Sequence, residues 1–507
     1  MSKEDAFQGS INPQKKRKSF AELRKFSPKS IFFISSAIVF LSYVKPIFSV
    51  WAYSDEYDFF EAVPKLGKHM ARDGNLVISF LYDNFSAPLV NSAEDLWRLR
   101  ILSFLCLFLI LNHVSTQILI HNQSRSIQFL LPIALTLPAP MTFISWSLLW
   151  QVSFAMLIAY IANVFWLKPS FRFKSTSVLL LWSSILMSPV AAFSIFGFHA
   201  ASFILARIKT VNFFKTIINL VTLYGISGTA SLATIFISQK FYGLELNERA
   251  GLVASSDLPE KMYWVLSRPI TLSMRFFDIS SPSQVNALVT LFLVLTILIY
   301  GIVIQSKNLN ENLFLRVVVF FTLILLSITP IVVTWSNQIE FRYILGPSVA
   351  FFLATVVLTL DVIKKHLNFL KYSYQSAILI ISILGIATMN DHTNSQFIAP
   401  YKSKSNFIQS EILNCQKKTL NFEKIIIQEP KNGYPSRENI GIFSQTTDMA
   451  SPWVPIPTVK YILKSYEFFP KEIVLQAHID QVGANSCTID LEKYSQQLVL
   501  PSENSKP

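Results

Sequence analysis

The sequence predicts a polytopic α-helical membrane protein with a small α/β domain at its carboxyl end. Of the 507 residues, 51% are hydrophobic and only 15% are charged, and the mean hydropathy is +0.42. A soluble domain carries about 25% charged residues. The hydrophobic runs are long enough to cross a bilayer as helices, whereas the chain is polar and mixed from residue 390 onward.

Residues 1–30 form a basic amino-terminal segment that we expect to lie in the cytoplasm. The segment leads into a first hydrophobic span near 31–52, and no small-residue cleavage site follows it. We therefore predict that this span is retained as an anchor. Since the basic residues precede a span, they fit anionic lipid better than nucleic acid.

We predict about eleven transmembrane helices within 31–389, with outer loops at 53–100 and 239–284. The net charge of +13 is concentrated in the amino terminus and in the other short loops. That is the positive-inside pattern, and it orients the carboxyl-terminal domain to the outside. The third span contains Pro132, Pro138 and Pro140, so we expect it to be kinked or broken.

Residues 390–507 are predicted to form an extracytoplasmic soluble domain. Lys424–Gln428 and Glu472–Gln476 have the pattern of short strands, and Thr458–Phe469 has that of a helix.

Cys415 and Cys487 both lie in this outer domain. If the protein sits in a bacterial inner membrane, the outer compartment is oxidising, and we predict a disulfide between them. The alternative is two free thiols.

A cluster of acids opens the first outer loop, directly after the first span. Asp55, Glu56 and Asp58 stand among aromatic residues, and carboxylates beside hydrocarbon are costly to place. A carboxylate in a partly apolar pocket has a raised pKa and can act as a general base. Periodicity over Asp55–Ala71 predicts an amphipathic helix on the membrane surface. The alternative is a solvated loop whose acids reflect only the general excess of negative charge in outer loops.

An acidic pair at the start of the first outer loop resembles the signature of the class C (GT-C) glycosyltransferases. The long first loop, the many spans and the terminal outer domain are similar too. The resemblance implies a GT-C-like fold and a hexosyltransferase that takes a sugar from a polyprenyl-phosphate donor, most like bacterial O-antigen glucosyltransferases. It implies Asp55 as the catalytic base, with Glu56 assisting or binding a divalent metal (Mg²⁺ or Mn²⁺). Asp58 is an addition to the family's plain pair, so the essential acid stays open among the three.

The phosphate that leaves such a donor needs positive charge nearby. The candidates are Arg342 at an outer membrane boundary, Arg249 in the second outer loop and Lys45 near the outer end of the first span. Arg268 and Arg275, also in the second loop, are further candidates. The alternatives are an interfacial anchor for Arg342 and snorkelling to the interface for Lys45.

Two more residues are candidates for other substrate contacts. Arg72 either contacts a sugar or pairs with Asp73, and we favour the pairing. His199 lies in a short span of uncertain register, and it is the polar span residue that we would test first. His113 and Asn112 are expected to make an interhelical hydrogen bond.

The resulting hypothesis is a membrane glycosyltransferase of cell-envelope polysaccharide biosynthesis, located in the bacterial inner membrane. Its partners would be the lipid-linked donor, a glycan or lipid-linked acceptor, and membrane lipids, with no nucleic acid. One alternative is a transporter or flippase of lipid-linked saccharide, which predicts internal symmetry and charges deep in several spans. Another is a polysaccharide polymerase or ligase with key basic residues in a large late loop. The chain has no phosphate-binding Gly-rich loop, which disfavours an ATP-driven pump. It also has no common zinc-binding pattern.

Overall fold

The computed structural model describes most of the chain. The described residues are 26–60, 66–122, 124–246, 251–279, 284–334, 341–366, 373–418, 422–431, 449, 454–464, 470–476 and 486–499. They form a bundle of helices followed by a small sheet with helices around it.

The bundle begins with α1 and ends with α16. Its helices are α1 (Pro28–Phe48), α2 (Leu66–Arg72), α3 (Leu76–Leu81), α4 (Trp97–His121), α5 (Arg125–Ile133), α6 (Pro138–Ser145), α7 (Trp150–Trp166), α8 (Phe171–Met187), α9 (Pro189–Leu205), α10 (Thr210–Tyr242), α11 (Leu258–Val265), α12 (Gln284–Leu309), α13 (Leu313–Ser327), α14 (Thr329–Val333), α15 (Leu345–His366) and α16 (Ser373–Thr393).

Several of these helices can cross a membrane. Within the described residues, seven helical segments are long and apolar enough to do so, and two bent helix pairs raise the number to nine. The chain therefore has the architecture of a polytopic helical membrane protein. Helix α13 is apolar but shorter than a full span, and the count of about eleven spans stays a prediction.

The break expected in the third span is confirmed. Helix α5 ends at Ile133, and α6 begins at Pro138 and runs at 59° to the preceding helical segment. The ring of Pro138 disfavours a helical conformation in the residue before it. Leu137 accordingly has an extended conformation, with ψ of 153°.

Helix α9 lies at the centre of the bundle. It forms a sharply bent pair with α8, at 119°, and the Ser188 hydroxyl caps its start by accepting a hydrogen bond from the Ala191 N–H. A Cβ atom at Gly197 would lie 2.2 Å from the carbonyl oxygen of Gly346 on α15. The two backbones therefore touch at a point that only glycine allows, a packing mode common between membrane helices.

A buried arginine joins the helices at the end of the bundle opposite the acidic loop. The Arg316 guanidinium donates to Glu311 at 2.7 Å, to Gln305 at 2.6 Å and to the Ile208 carbonyl at 3.0 Å. It also lies over the ring of Phe203. These partners lie on α9, on α12, between α9 and α10, and between α12 and α13, so one side chain on α13 connects several helix ends.

The loop between α1 and α4, predicted to lie outside, is not the single amphipathic helix predicted for Asp55–Ala71. Ser54–Phe60 form a 3₁₀-helix, and the α-helix α2 is confined to Leu66–Arg72; residues 61–65 lie outside the described part. Acidic side chains in this segment bond nearby backbone N–H groups, with Glu56 accepting from Tyr53 N–H at 2.8 Å. Such local bonds compete with α-helix formation.

Helix α16 leads directly into the carboxyl-terminal domain. A π-helical turn at Asn394–Ile398 connects it to α17 (Ala399–Lys418). The domain contains a parallel sheet in the order β2-β1-β3. Its elements are β1 (Lys424–Gln428), α18 (Pro455–Lys464), β2 (Glu472–Gln476), β3 (Ser486–Asp490) and α19 (Leu491–Val499).

The two predicted strands of this domain are confirmed at their predicted bounds, and β3 was missed. The predicted helix at Thr458–Phe469 begins earlier, at Pro455, and residues 465–469 lie outside the described part. A disulfide joins Cys415 on α17 to Cys487 on β3, with Cα atoms 5.5 Å apart.

Candidate functional site

The acidic segment, which we define as Ser54–Phe60, is anchored to the end of α1 by a buried arginine. Arg100, in the first turn of α4, places its guanidinium carbon 3.6 Å from the centre of the Trp51 ring. It donates to the carbonyl oxygens of Ser145 at 3.0 Å, Ser49 at 3.0 Å and Trp51 at 2.7 Å. One side chain thus satisfies carbonyl groups from the end of α1, the approach to the acidic segment and the end of α6.

Glu56 lies fully buried beside this arginine. Its Oε2 is 3.9 Å from Arg100 Nη2 and accepts from Tyr53 N–H, while its Oε1 accepts from Ser147 N–H at 2.6 Å. Burial raises the pKa of Glu56, and the Arg100 charge together with the bonds from Ser147 and Tyr53 opposes that rise. Because both oxygens are engaged inside the protein, the geometry gives Glu56 a structural role. It does not fit the assisting or metal-binding role expected from the sequence.

Replacing Glu56 by Gln is expected to lower the free energy of unfolding by about 1–3 kcal/mol, because an amide NH₂ group would face one of the two N–H donors. The matched control is Glu94→Gln, at an exposed position in the same loop. Chemical unfolding in detergent measures the free energy of unfolding of both purified variants. Equal stability of the two variants would contradict the structural role.

Asp58 is held in a different way from Glu56. Its Oδ2 accepts hydrogen bonds from the Tyr82 hydroxyl at 2.7 Å and from the Leu66 N–H at 2.9 Å. Burial raises the pKa of Tyr82, and the charges of Asp58, Asp55 and Asp83 raise it further. The pKa of Asp83 is itself raised by burial and by Asp58. Asp58 therefore contacts the Tyr82 hydroxyl, and Asp55 and Asp83 lie within electrostatic range of it.

The carboxyl-terminal domain covers the acidic segment. The Tyr461 ring of α18 packs on Phe60 with centroids 4.5 Å apart, and its hydroxyl accepts from the Ala93 N–H at 3.1 Å. Lys464 donates to the Phe60 carbonyl. Lys404 of α17 is buried, with its ammonium 4.5 Å from the centre of the Tyr57 ring. The site is thus enclosed by residues distant in sequence.

Of the cations predicted to bind the donor phosphate, one is exposed at the end of a helix and two have side chains outside the described part of the structure. Lys45 is exposed in the last turn of α1. Arg249 falls outside the described residues, as does the side chain of Arg342, whose backbone belongs to a 3₁₀ turn.

Arg72 is paired, but not with the partner that we favoured. Its guanidinium contacts Glu245 of the second outer loop at 3.1 Å, and Asp73 contacts His69 at 3.7 Å. His69 lies four positions before Asp73, so the two side chains project from the same side of a helix. The Arg72 side chain projects in a different direction, toward the loop that carries Glu245.

The candidate His199 lies within α9 and is separate from the acidic segment. Its Nε2 is hydrogen-bonded to Asn163 Nδ2 at 3.2 Å. The interhelical bond expected of His113 is confirmed, since its Nδ1 lies 2.9 Å from the Tyr160 hydroxyl.

No arrangement suited to a metal ion occurs among the described residues. No group of three or more His, Cys, Asp or Glu side chains there is placed to hold one. Since Glu56 is engaged with backbone N–H groups, the Asp55–Glu56 pair does not fit the divalent ion considered for it.

Sequence reasoning missed Arg100, Tyr82, Asp83 and Lys404 as parts of the site. The sequence position of Arg100 could have indicated its role, because an arginine at the start of a hydrophobic span requires buried partners. Lys404 gave no such indication, because nothing local shows that a helix of the polar tail returns to the first loop.

No family model, curated protein or solved structure that was compared with this chain matches it.

Proposed function

We propose that the protein is a GT-C-like glycosyltransferase. It moves a sugar from a polyprenyl-phosphate donor to a glycan or lipid-linked acceptor on the outer face of the membrane. The observation that carries the proposal is the hydrogen bond from the Tyr82 hydroxyl to Asp58, with Asp55 and Asp83 within electrostatic range of that hydroxyl, at the end of a membrane-type bundle and beneath a covering domain. Such a place suits a reaction between a lipid-anchored donor and a water-soluble acceptor.

In the proposed reaction, Asp55 takes the proton from an acceptor hydroxyl. The acceptor oxygen forms a bond to the anomeric carbon of the donor, and the bond from that carbon to the phosphate oxygen breaks. The electron pair of the broken bond leaves with the phosphate, which needs no proton. The proton of the acceptor hydroxyl ends on the Asp55 carboxylate.

Asp55 is the best base among the three acids of the segment. Glu56 is buried and bonded to two backbone N–H groups, and Asp58 is bonded to Tyr82 and Leu66 through one oxygen. Asp55 is half-buried, in contrast to Glu56, and it is the acid that the resemblance to the class C glycosyltransferases implies as the base. In this scheme Asp58 and Tyr82 position the segment.

The donor phosphate is proposed to meet Arg342, Arg249 or Lys45, the cations at the same side of the membrane in the positive-inside orientation. Such an orientation places the acidic segment and the outer domain outside the bacterial inner membrane. The covering contacts of Tyr461 and Lys464 support a role for that domain in enclosing the reaction.

The decisive experiment is a transfer assay in purified membranes with radiolabelled polyprenyl-phosphate hexose. Asp55→Asn is expected to lower the transfer rate by about 10²–10⁴-fold, because general base catalysis contributes that much. Asp73→Asn, in the same loop but paired with His69 on α2, is the matched control and should keep full activity.

Expression of each variant is checked by quantitative immunoblot of the membranes. Full transfer by Asp55→Asn at normal expression would remove the base assignment. Absence of transfer by the unaltered protein with every hexose donor tested would remove the proposed function itself.

A further inference from the structure

A second polar cluster lies inside the helical layer, away from the acidic segment. Its members are His113 on α4, Tyr160 and Asn163 on α7, His199 on α9 and Tyr224 on α10. Helix α7 begins near the acidic site, and Tyr160 lies about 15 Å further along it at 1.5 Å per residue. The two clusters are therefore separate.

Hydrogen bonds and ring contacts hold this second cluster together. In addition to the His113–Tyr160 and Asn163–His199 bonds, the Tyr160 and His199 rings stack with centroids 6.2 Å apart. The Tyr224 hydroxyl donates to the Ala192 carbonyl at 2.7 Å. The members are imidazole, phenol and amide groups, with no carboxylate or ammonium among them.

One hydrogen-bond acceptor of the cluster is not used by the described residues. Asn163 is 1% exposed, and within the described ranges its Oδ1 has no hydrogen-bond partner. A buried acceptor without a donor is costly, and more so where no water surrounds the helices. His113 and His199 are half-buried.

We propose that this cluster is a binding site for an uncharged, hydroxyl-bearing head group of a molecule dissolved in the membrane. A hydroxyl donates to Asn163 Oδ1 and accepts from an imidazole N–H, while the stacked rings of Tyr160 and His199 offer apolar contact. An anion is disfavoured, because none of the five side chains that form the cluster is a lysine or an arginine. The head group is a sugar or a simple alcohol.

The test follows the thermal unfolding midpoint of the full-length protein, purified in a sugar-free zwitterionic detergent. Added hexyl β-glucoside is expected to raise the midpoint saturably, because a ligand that binds only the folded state stabilises it. Asn163→Leu should raise the half-saturating concentration at least tenfold. His69→Leu, at an exposed position in the first outer loop, is the matched control and should respond as the unaltered protein does.

Two further probes separate the sources of the hydroxyl. If hexanol matches hexyl β-glucoside, the site takes a simple alcohol; if only the glucoside acts, the site takes a sugar. Hexyl phosphate is the charged probe, and a larger saturable shift with it would overturn the proposal.

The proposal also fails if neither hydroxyl probe gives a saturable shift, or if Asn163→Leu and the unaltered protein respond alike. If Asn163→Leu does not fold, His199→Gln takes its place, since Gln retains a group able to bond Asn163 but loses the stacked ring. It is expected to show the same weakening. None of these measurements uses sugar transfer, so the result is independent of the proposed enzyme activity.

Discussion

Arg100→Leu is expected to lower the free energy of unfolding by about 3–5 kcal/mol, the cost of removing one partner of a buried ion pair. Without the guanidinium, Glu56 is a buried charge with no cation beside it. The carbonyl groups of Ser145, Ser49 and Trp51 also lose their donor. Chemical unfolding of the purified protein in detergent, together with its yield in membranes, measures the loss.

Arg98→Leu is the matched control, two residues earlier on the same helix. Arg98 is largely exposed and pairs with Asp95 at 3.1 Å, so its loss should cost about 1 kcal/mol or less. Combining Arg100→Leu with Glu56→Gln should recover part of the loss, because the stranded charge is removed as well. Equal stability of the Arg98 and Arg100 variants would show that the buried cluster does not hold the first loop.

Cys487→Ser is expected to destabilise the outer domain by about 4 kcal/mol, following the chain entropy released when a long loop is opened. The disulfide closes a sequence separation of 72 residues between α17 and β3. Limited proteolysis of the full-length protein under non-reducing conditions should therefore cleave the carboxyl-terminal part of the variant at lower denaturant concentration.

Cys415→Ser should destabilise the domain as much as Cys487→Ser does. The double variant should be no less stable than either single variant. Cys106→Ala is the control for loss of a thiol, because Cys106 is a free, buried residue of α4 outside the domain. Identical cleavage of the unaltered protein with and without reductant would mean that the cross-link contributes nothing to the domain.

Local patterns in the sequence were sufficient for the membrane class, the proline break before Pro138 and the strands at Lys424–Gln428 and Glu472–Gln476. Each depends on residues close together in the chain, namely a hydrophobic run, a restricted backbone or an apolar strand. Strand β3 was missed because Ser486–Asp490 is short and mostly polar, and its burial comes from pairing with β1.

The roles of the three acids could not be read from the sequence. Asp55, Glu56 and Asp58 look equivalent there, but their partners come from distant segments. Glu56 is buried because Arg100 and Ser147 meet it, and Asp58 is fixed because Tyr82 reaches it. Only the packing of α4, of the start of α7 and of the first loop distinguishes one carboxylate from another.

The helical run from α16 through the π-turn to α17 has a mechanical consequence. Its residues Ser373–Lys418 connect a membrane helix to the helix that carries Lys404 and Cys415, with one turn of different pitch between them. A continuous helical run of this kind couples the movements of its two ends. A change in the tilt of α16 would therefore move Lys404 relative to the Tyr57 ring, so that the packing of α16 in the bilayer would be coupled to the contact between the carboxyl-terminal domain and the acidic segment.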